Sequence, residues 1–209
     1  MPLLGTMVSR LRMRPGQALA DIGCGTGGVG LWLARALAVR LVGIDISSTA
    51  VELATARRSH FVPPERAQFR VRTMEATSLP DSCAHGAVCV DAMSNAADRA
   101  AVLGEMHRIL APDARLALTR AVRREADQVW REQAEDAGSE VEHVDERPGE
   151  PEMWRRLYRL WIAREADLRR QLGDVQAENM LGEAQRVMPR LDGRRALVAT
   201  LRRPPVTAG

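Results

Sequence analysis

The sequence has few aromatic residues and no lysine. Aromatic side chains make up 3% of the 209 residues, and all thirty basic residues are arginine. The hydrophobic core must therefore be built from aliphatic side chains, and each aromatic residue can be interpreted by its position. The arginines are interleaved with 27 acidic residues and form no basic stripe, so the net charge of +3 is only weak evidence for a nucleic-acid partner.

Paired cysteines and long apolar runs are also missing. Cys24, Cys83 and Cys89 have the spacing of neither a disulfide framework nor a zinc site. No stretch reaches the roughly 18 apolar residues needed to cross a bilayer. The first fourteen residues lack the apolar run of a secretory signal. We therefore expect a cytoplasmic protein in a reducing compartment, with no membrane association and no metal site.

Short apolar runs alternate with helical patterns through the first half of the chain. The predicted strands are 17–22, 40–46, 67–73, 87–91, 115–119, 140–144 and 195–201. The predicted helices are 29–37, 48–57, 98–110 and 125–137, followed by helical patterns at 151–172 and 175–188. Such alternation predicts an α/β protein with a doubly wound parallel sheet.

Some fifty residues, 145–194, separate the last two predicted strands. This segment is too long for a hairpin turn, and its helices need a surface to cover. The carboxyl edge of the sheet, where such folds bind ligands, is the expected surface. We therefore predict a single domain, 1–209, in which 145–194 is a helical insertion that serves as a substrate lid.

A glycine-rich loop, residues 21–28 with the sequence DIGCGTGG, follows the first predicted strand and opens a helix. Glycines here allow a tight turn, close approach of the backbone to a ligand, and packing of helix against strand. The pattern by itself is ambiguous, because Gly23, Gly25 and Gly28 also satisfy the dinucleotide pattern G-x-G-x-x-G.

Two carboxylates bear on the identity of the ligand. Asp21 lies just before the glycines, where its charge would repel a pyrophosphate and favour a cationic ligand. Asp45 lies at the end of the second predicted strand, where a carboxylate can accept both ribose hydroxyls of a nucleoside. The structural alternatives are a turn cap for Asp21 and a helix N-cap for Asp45.

Five segments together resemble the class I S-adenosylmethionine-dependent methyltransferases, in particular the small-molecule branch that includes the ubiquinone/menaquinone-type enzymes. These segments are 19–27, 41–47, 74–80, 90–93 and 105–112. The resemblance is good over 14–119 and looser beyond it. It implies a Rossmann-like, seven-stranded sheet of order 3-2-1-4-5-7-6, with a helical lid between the last two strands, and S-adenosyl-L-methionine as cofactor.

The resemblance also implies roles for individual residues. The residues expected to contact the cofactor are Asp21, Gly23, Cys24, Gly25, Gly27, Asp45, Ile46, Glu75, Ala76, Asp91 and Ala92. Of these, the glycine loop would hold the methionine moiety, and Asp45 would bind the ribose with Ile46 against the adenine. Glu75 and Ala76 would edge the adenine ring, and Asp91 and Ala92 would lie beside the sulfonium.

The sequence departs from the family pattern in ways that affect the mechanism. Asn95 stands where many relatives have a histidine, which argues against a histidine base at that position. About sixteen residues precede the first strand, whereas relatives often carry more N-terminal helices that close over the cofactor. Either 145–194 closes the site, or the site is more open, or a second subunit of a homodimer covers it.

Candidate acceptor-binding and catalytic residues are fewer. Trp154, Tyr158 and Trp161 have the i, i+4, i+7 spacing of one helix face, which suits an aromatic substrate pocket or, equally, packing of the helix. His143 is the histidine best placed for proton abstraction, although a structural role is the alternative. Asn95 is the second catalytic candidate.

These observations predict methyl transfer by direct displacement. The resemblance implies a small-molecule acceptor, as in natural-product tailoring. Three alternatives remain at this point. One is a relative that binds S-adenosylmethionine without transferring its methyl group. Another is an NAD-binding oxidoreductase. The last is an RNA or protein methyltransferase, against which the sequence DAMS at 91–94, in place of an N/D-P-P-Y motif, argues.

Overall fold

The computed structural model describes residues 3–123 and 127–205. Its helices are α1 (Leu3–Leu11), α2 (Gly28–Leu37), α3 (Ser48–Arg57), α4 (Arg99–Ile109), α5 (Asp127–Asp136), α6 (Glu150–Ala163), α7 (Glu165–Leu172) and α8 (Asp174–Val187). Its strands are β1 (Ala18–Ile22), β2 (Arg40–Asp45), β3 (Ala67–Val71), β4 (Ala84–Cys89), β5 (Leu110–Arg123), β6 (Glu140–Glu146) and β7 (Arg194–Arg202).

The strands form one seven-stranded sheet of order β3-β2-β1-β4-β5-β7-β6, which confirms the predicted fold class. The pairs β1/β2, β2/β3, β1/β4 and β4/β5 are parallel. The chain winds outward from β1 in one direction and returns through β4 in the other. Ligands of such sheets bind at the carboxyl ends of the strands on either side of that switch point.

The sheet is buried because its central strands are apolar on both faces. Leu19 and Ile22 of β1 and Ile44 of β2 are fully buried, and Leu31 and Leu33 of α2 pack against the sheet. Runs of this kind, without alternation, are typical of parallel strands covered by helices on both sides.

The helix α1 was missed by the sequence reasoning. Its residues Met7 and Leu11 are almost completely buried and join the core formed by β1 and α2. The i, i+4 spacing of these two side chains is the signal that could have identified the helix.

The described residues form two compact units. The first comprises 3–120, 128–145 and 198–205, and the second comprises 121–123, 127 and 146–197. The second unit contains α6, α7 and α8 and has a small core of its own around Tyr158, Ala184 and Leu191. No helix in the described ranges has the length and apolar character needed to cross a bilayer.

Several boundaries differ from the predictions. The helical pattern 151–172 is two helices, because the backbone leaves the helical region at Arg164 (φ −115°, ψ 28°) between α6 and α7. No glycine or proline in the sequence signals this break. The strand β5 extends well beyond the predicted 115–119. The predicted start of α5 at Glu125 lies outside the described residues.

Candidate functional site

The glycine loop after β1 is tied to the end of β2 by its own backbone. The amides of Gly23 and Cys24 both donate to the carbonyl of Ile44, at 2.8 and 2.9 Å. The amide of Gly27 donates to the carbonyl of Cys24 at 2.9 Å, and that of Gly25 donates to Asp45 Oδ2 at 2.7 Å. A loop that cradles a diphosphate needs free amides for the ligand, and four of those in this loop are already engaged.

Two glycines of the loop differ in what surrounds them. Gly23 has φ +73°, and a Cβ there would lie 2.3 Å from the Cβ of Ala92. Gly25 has φ +52°, and a Cβ there would meet nothing within 4 Å. Gly23 is therefore needed for the packing of the loop against the segment after β4, whereas Gly25 borders open space in which a ligand fits.

Asp45, the last residue of β2, organises the neighbouring turns. Its Oδ1 accepts from the amide of Ser47 at 2.9 Å, while its Oδ2 accepts from Gly25. The N-cap of α3 is Ser47, whose hydroxyl accepts from Ala50, so the alternative of Asp45 as the N-cap is wrong. Each carboxylate oxygen can accept a further hydrogen bond, which leaves Asp45 able to bind a pair of hydroxyls. The adjacent Ile46 is 73% exposed and offers an apolar surface.

Asp21 is more buried than the sequence suggested. It is 2% exposed, and one of its carboxylate oxygens has no hydrogen-bond partner in the described structure. Burial raises the pKa of Asp21 to about 7, the Gly30 amide partly offsets this rise, and the charge of Asp45 adds to it. The expectation that Asp21 carries a full charge just before the glycines is therefore corrected. Asp21 lies beneath the loop and is half ionised near neutral pH.

Asp91 lies two residues beyond β4 and is held by the neighbouring strand. The hydroxyl of Thr119 in β5 donates to Asp91 Oδ1 at 2.9 Å and accepts from the Asp91 amide at 2.7 Å. The side chain of Asp91 is exposed, and its φ of +54° is unusual for a residue other than glycine. Backbone held in this region by surrounding contacts is common where a side chain must be presented to a ligand.

Carboxylates therefore stand at the ends of three adjacent strands. Asp21 belongs to β1, Asp45 ends β2 and Asp91 follows β4, and these strands are neighbours in the order β2-β1-β4. Because the amides that would offset their charge are largely engaged, this edge of the sheet favours a cationic ligand over a diphosphate.

The segment 74–80, which carries Glu75 and Ala76, is fastened to its surroundings by two carboxylates. Glu75 Oε1 accepts from the amide of Ala97 at 3.2 Å, beyond β4. The amide of the buried Thr77 donates to Glu105 of α4 at 2.9 Å, and its hydroxyl contacts the same oxygen. Arg108 donates to both Glu105 and the carbonyl of Leu79. The position of Glu75 and Ala76 therefore depends on Glu105, a residue to which the sequence reasoning gave no role.

Replacing Glu105 with glutamine is expected to lower the free energy of unfolding by about 2 kcal/mol, because a charge-assisted pair is lost. The ion pair with Arg108, with help from Thr77, lowers the pKa of Glu105 to about 2. The wild-type contribution is therefore present above the ordinary pKa near 4.5 and is lost as the pH falls towards 2. Thermal unfolding between pH 3 and 7 measures this loss of stability. The stability of Glu105→Gln should depend less on pH than that of the wild type. The exposed Glu65→Gln is the control, and an equal pH profile for all three proteins would contradict the prediction.

The two catalytic candidates lie in different places. Asn95 ends a 3₁₀ turn, Met93–Asn95, directly after β4 and beside Asp91 and Ala92. His143 lies on β6, three strand spacings from β4, which corresponds to about 14 Å. Its Nε2 is buried without a partner in the described part of the chain. The catalytic role of each remains a prediction, and this distance weighs against His143 as a base at β4.

The aromatic residues of α6 lie in the core of the second unit. Ring centroids of Trp154 and Tyr158 are 5.5 Å apart, and those of Tyr158 and Trp161 are 5.4 Å apart. Tyr158 is 2% exposed, and its hydroxyl donates to Glu183 at 3.0 Å. These contacts favour packing as the first role of the three residues. Their role in acceptor binding remains a prediction, supported by an open groove of about 410 Å³ that Trp161 lines.

The sequence reasoning also missed Gly43 and Thr119. A Cβ on Gly43 would lie 2.4 Å from the ring of Phe69 and 3.0 Å from the sulfur of Cys24, so only glycine fits there. Its place in the predicted strand two residues before Asp45 was an available signal. No signal in the sequence predicts the hydrogen bonds between Thr119 and Asp91, because these bonds depend on the pairing of strands. Within the described ranges no group of His, Cys, Asp or Glu residues is arranged to hold a metal ion.

Comparison with known proteins identifies the family of the central segment. Residues 19–113 match the family described as "Methyltransferase domain". An O-methyltransferase of Pyrenophora dematioidea is 31% identical over 114 residues, which is 54% of this chain and 42% of that protein. The 27-O-demethylrifamycin SV methyltransferase of Amycolatopsis mediterranei (strain S699) is 31% identical over 116 residues, 56% of this chain and 43% of that protein. The chain spans less than half the length of these curated relatives.

A solved structure extends the similarity to nearly the whole fold. The crystal structure of the [4+2]-cyclase SpnF has a TM-score of 0.85, covers 97% of this chain and 80% of its own, and is 20% identical. At that identity the likeness establishes the fold and nothing further.

Proposed function

We propose that the chain is a class I S-adenosylmethionine-dependent methyltransferase that transfers a methyl group to a small-molecule acceptor, since residues 19–113 match a methyltransferase domain. The cofactor of this family is S-adenosyl-L-methionine. The observation that carries the proposal is the set of carboxylates Asp21, Asp45 and Asp91 at three adjacent strand ends, beside a loop whose amides are engaged. That arrangement suits a cationic nucleoside and disfavours the diphosphate of NAD.

The residues present fit the parts of this cofactor. Asp45 accepts the ribose hydroxyls with its remaining lone pairs, and the exposed Ile46 covers one face of the adenine. Glu75, whose Oε1 is engaged by Ala97, accepts the adenine amine with its remaining lone pairs, and the amide of Ala76 contacts the ring edge. Gly23, Cys24, Gly25 and Gly27 form the wall for the methionine moiety, with Gly25 leaving the space open.

The remaining residues position charge and exclude water. When bound, S-adenosylmethionine supplies an electrophilic methyl group on a sulfonium. Asp91, held by Thr119, presents its carboxylate towards that positive charge, with the buried Ala92 behind it. Such a reaction depends mainly on holding donor and acceptor within reach of each other, so the contribution of the protein is positioning.

The acceptor and the cellular setting are proposed from the curated relatives and from the cysteines. The names of the two curated relatives support an oxygen acceptor and a role in natural-product tailoring. We propose that 145–194 is the substrate lid within one methyltransferase domain, and that a homodimer would cover the site if the lid does not. Three unpaired cysteines are consistent with a reducing, cytoplasmic location.

Calorimetry and a transfer assay test this function. The purified chain should bind S-adenosylhomocysteine at micromolar concentrations and NADH at least about 100-fold more weakly. Incubation with methyl-labelled S-adenosylmethionine and a panel of phenols, carboxylates and amines should then label at least one acceptor. Tight binding without any transfer would favour a relative that only binds the cofactor, and preference for NADH would reject the proposal.

The pH dependence of cofactor binding is expected to report on Asp21. Because burial holds the pKa of Asp21 near 7 and a cationic ligand favours the carboxylate, binding is coupled to loss of a proton. The affinity for S-adenosylmethionine should rise about tenfold between pH 6 and pH 8 and level off above the pKa of Asp21.

The variant Asp21→Asn separates this effect from titration of the ligand itself. Asparagine mimics the protonated carboxyl. The affinity of Asp21→Asn for S-adenosylmethionine should therefore be low and should not rise between pH 6 and pH 8 as that of the wild type does. Calorimetry in buffers with different ionisation enthalpies counts the protons released. Equal proton release by wild type and Asp21→Asn would exclude Asp21 as their source.

A further inference from the structure

Arg120, near the carboxyl end of β5, is a half-buried cation without a carboxylate partner. Within residues 3–123 and 127–205 no acidic side chain forms an ion pair with it, and the charged side chain with the largest effect on its pKa is another cation, Arg99. Its guanidinium lies 5.9 Å from the ring centroid of Trp130, a residue that is 2% exposed. Burial and the charge of Arg99 both lower the pKa of the Arg120 guanidinium, which nevertheless remains charged at neutral pH.

A second arginine of the same strand, Arg115, is a buried guanidinium that is paired with a carboxylate. Arg115 of β5 is 8% exposed and forms a two-pronged pair with Glu142, at 2.7 and 3.0 Å. The cost of burying that charge is therefore offset within the protein. The cost at Arg120 is not offset, although the stacking of cation on indole reduces it. An anion from outside the protein would supply the charge-assisted hydrogen bonds that this guanidinium lacks.

The pairing of β5 with β4 relates Arg120 to the proposed reacting centre. Strand pairing between Cys89 and Leu118 places Asp91 and Arg120 at the same level, each two residues further along. Arg99 begins α4 on the other side of the loop that contains Asp91. Arg120 is therefore level with Asp91 along the sheet, and Arg99, whose charge acts on Arg120, follows the loop that contains Asp91.

We propose that Arg120, assisted by Arg99, binds an anionic oxygen group of the methyl acceptor, such as a carboxylate, a phenolate or an enolate. This inference rests on the proposed function and names its substrate class. It also accounts for the lack of a well-placed general base, because an acceptor bound as its anion has already lost its proton to solvent. A guanidinium at the acceptor oxygen stabilises that anion and lowers the pKa of the acceptor.

Binding of a matched pair of probes to the protein saturated with S-adenosylhomocysteine tests the inference. The probes are 2-naphthoate and its neutral isostere 2-naphthamide, measured by equilibrium dialysis at pH 7.5. The wild type should bind the carboxylate at least tenfold more tightly than the amide. Arg120→Gln should lose this preference, Arg120→Lys should retain part of it, and Arg99→Gln should weaken it less than Arg120→Gln.

Arg35→Gln on α2 is the matched control, since it removes one exposed positive charge away from the site. It should bind 2-naphthoate as the wild type does. Affinity for S-adenosylhomocysteine should stay within twofold in every variant. Removing an unpaired, half-buried charge should leave the Tm of Arg120→Gln equal to or above that of the wild type, whereas a purely structural role for Arg120 would lower it.

Three results would overturn the inference: no binding of 2-naphthoate to the wild type, equal binding of carboxylate and amide, or unchanged carboxylate binding in Arg120→Gln. A failure of the proposed function shows itself separately, as absence of S-adenosylhomocysteine binding. In that case the same probe comparison without the nucleoside still decides whether Arg120 binds anions.

Discussion

Replacing Gly25 with alanine is expected to weaken S-adenosylmethionine binding by at least about 100-fold, or about 2.7 kcal/mol, while the protein stays folded. The added methyl group meets no protein atom within 4 Å, so it fits the free protein and occupies the space that the ligand needs. The φ of +52° adds a cost of about 1 kcal/mol to folding, because alanine is disfavoured in the left-handed region.

Gly16→Ala is the matched control for this backbone cost. Gly16 precedes β1, has φ +82° and also has nothing within 4 Å of an added Cβ. Both variants should therefore lose a similar amount of stability in thermal unfolding, and only Gly25→Ala should lose binding in calorimetry. Gly23→Ala is less informative, since its Cβ would collide with Ala92 and unfolding would mask the effect. Wild-type affinity in Gly25→Ala would show that the ligand lies elsewhere.

Replacing Asp45 with alanine is expected to reduce affinity for S-adenosylhomocysteine by about 100-fold or more. The carboxylate supplies charge-assisted acceptors for the ribose, each worth about 1.5–3 kcal/mol, and it also fixes the Gly25 amide. Asp45→Asn keeps the shape and one acceptor oxygen, so its loss should be smaller. Both variants should remain folded, because Asp45 is only partly buried and does not belong to the hydrophobic core.

A double-mutant cycle with the ligand distinguishes ribose binding from loop support. The 2′-deoxy analogue of S-adenosylhomocysteine should bind the wild type more weakly than the parent compound does. In Asp45→Ala, the two compounds should bind almost equally, since the acceptor for the missing hydroxyl is already gone. An equal penalty for the deoxy compound in both proteins would contradict a direct contact between Asp45 and the ribose.

Much of the ligand site could be predicted because its residues are consecutive or lie at fixed distances along the chain. Strand, glycine loop and helix between 17 and 37 are local elements, and their turn chemistry is visible in the sequence. Asp45 could be identified because parallel strands end at one edge of the sheet, so the last residue of β2 necessarily approaches the loop after β1. The fold class was predicted from the alternation of strand and helix patterns, the strand order was implied by the family resemblance, and the structure confirms both.

The electrostatic state of the site could not be predicted in this way. The sequence predicted a charged carboxylate at Asp21, yet this side chain is buried and its pKa is raised, because α2 packs directly over it at Gly30. Burial depends on which elements cover a residue, and periodicity along one strand does not reveal this. The aromatic residues of α6 illustrate the same limit, since spacing predicted their common face but not the partner that this face contacts.

The amino-acid sequence by itself determined the succession of strands along the chain, the glycine turn and the carboxylates at the strand ends, since all of these follow from short-range pattern and backbone geometry. The tertiary structure alone decided which charges are paired. Arg115 pairs with Glu142, which is 27 residues away along the chain, and Thr119 donates a hydrogen bond to Asp91, which is 28 residues away. Arg120 forms no ion pair with a carboxylate in the described structure. The physical reason is that Coulomb and hydrogen-bond energies depend on distance and burial in three dimensions, which only the packed sheet defines.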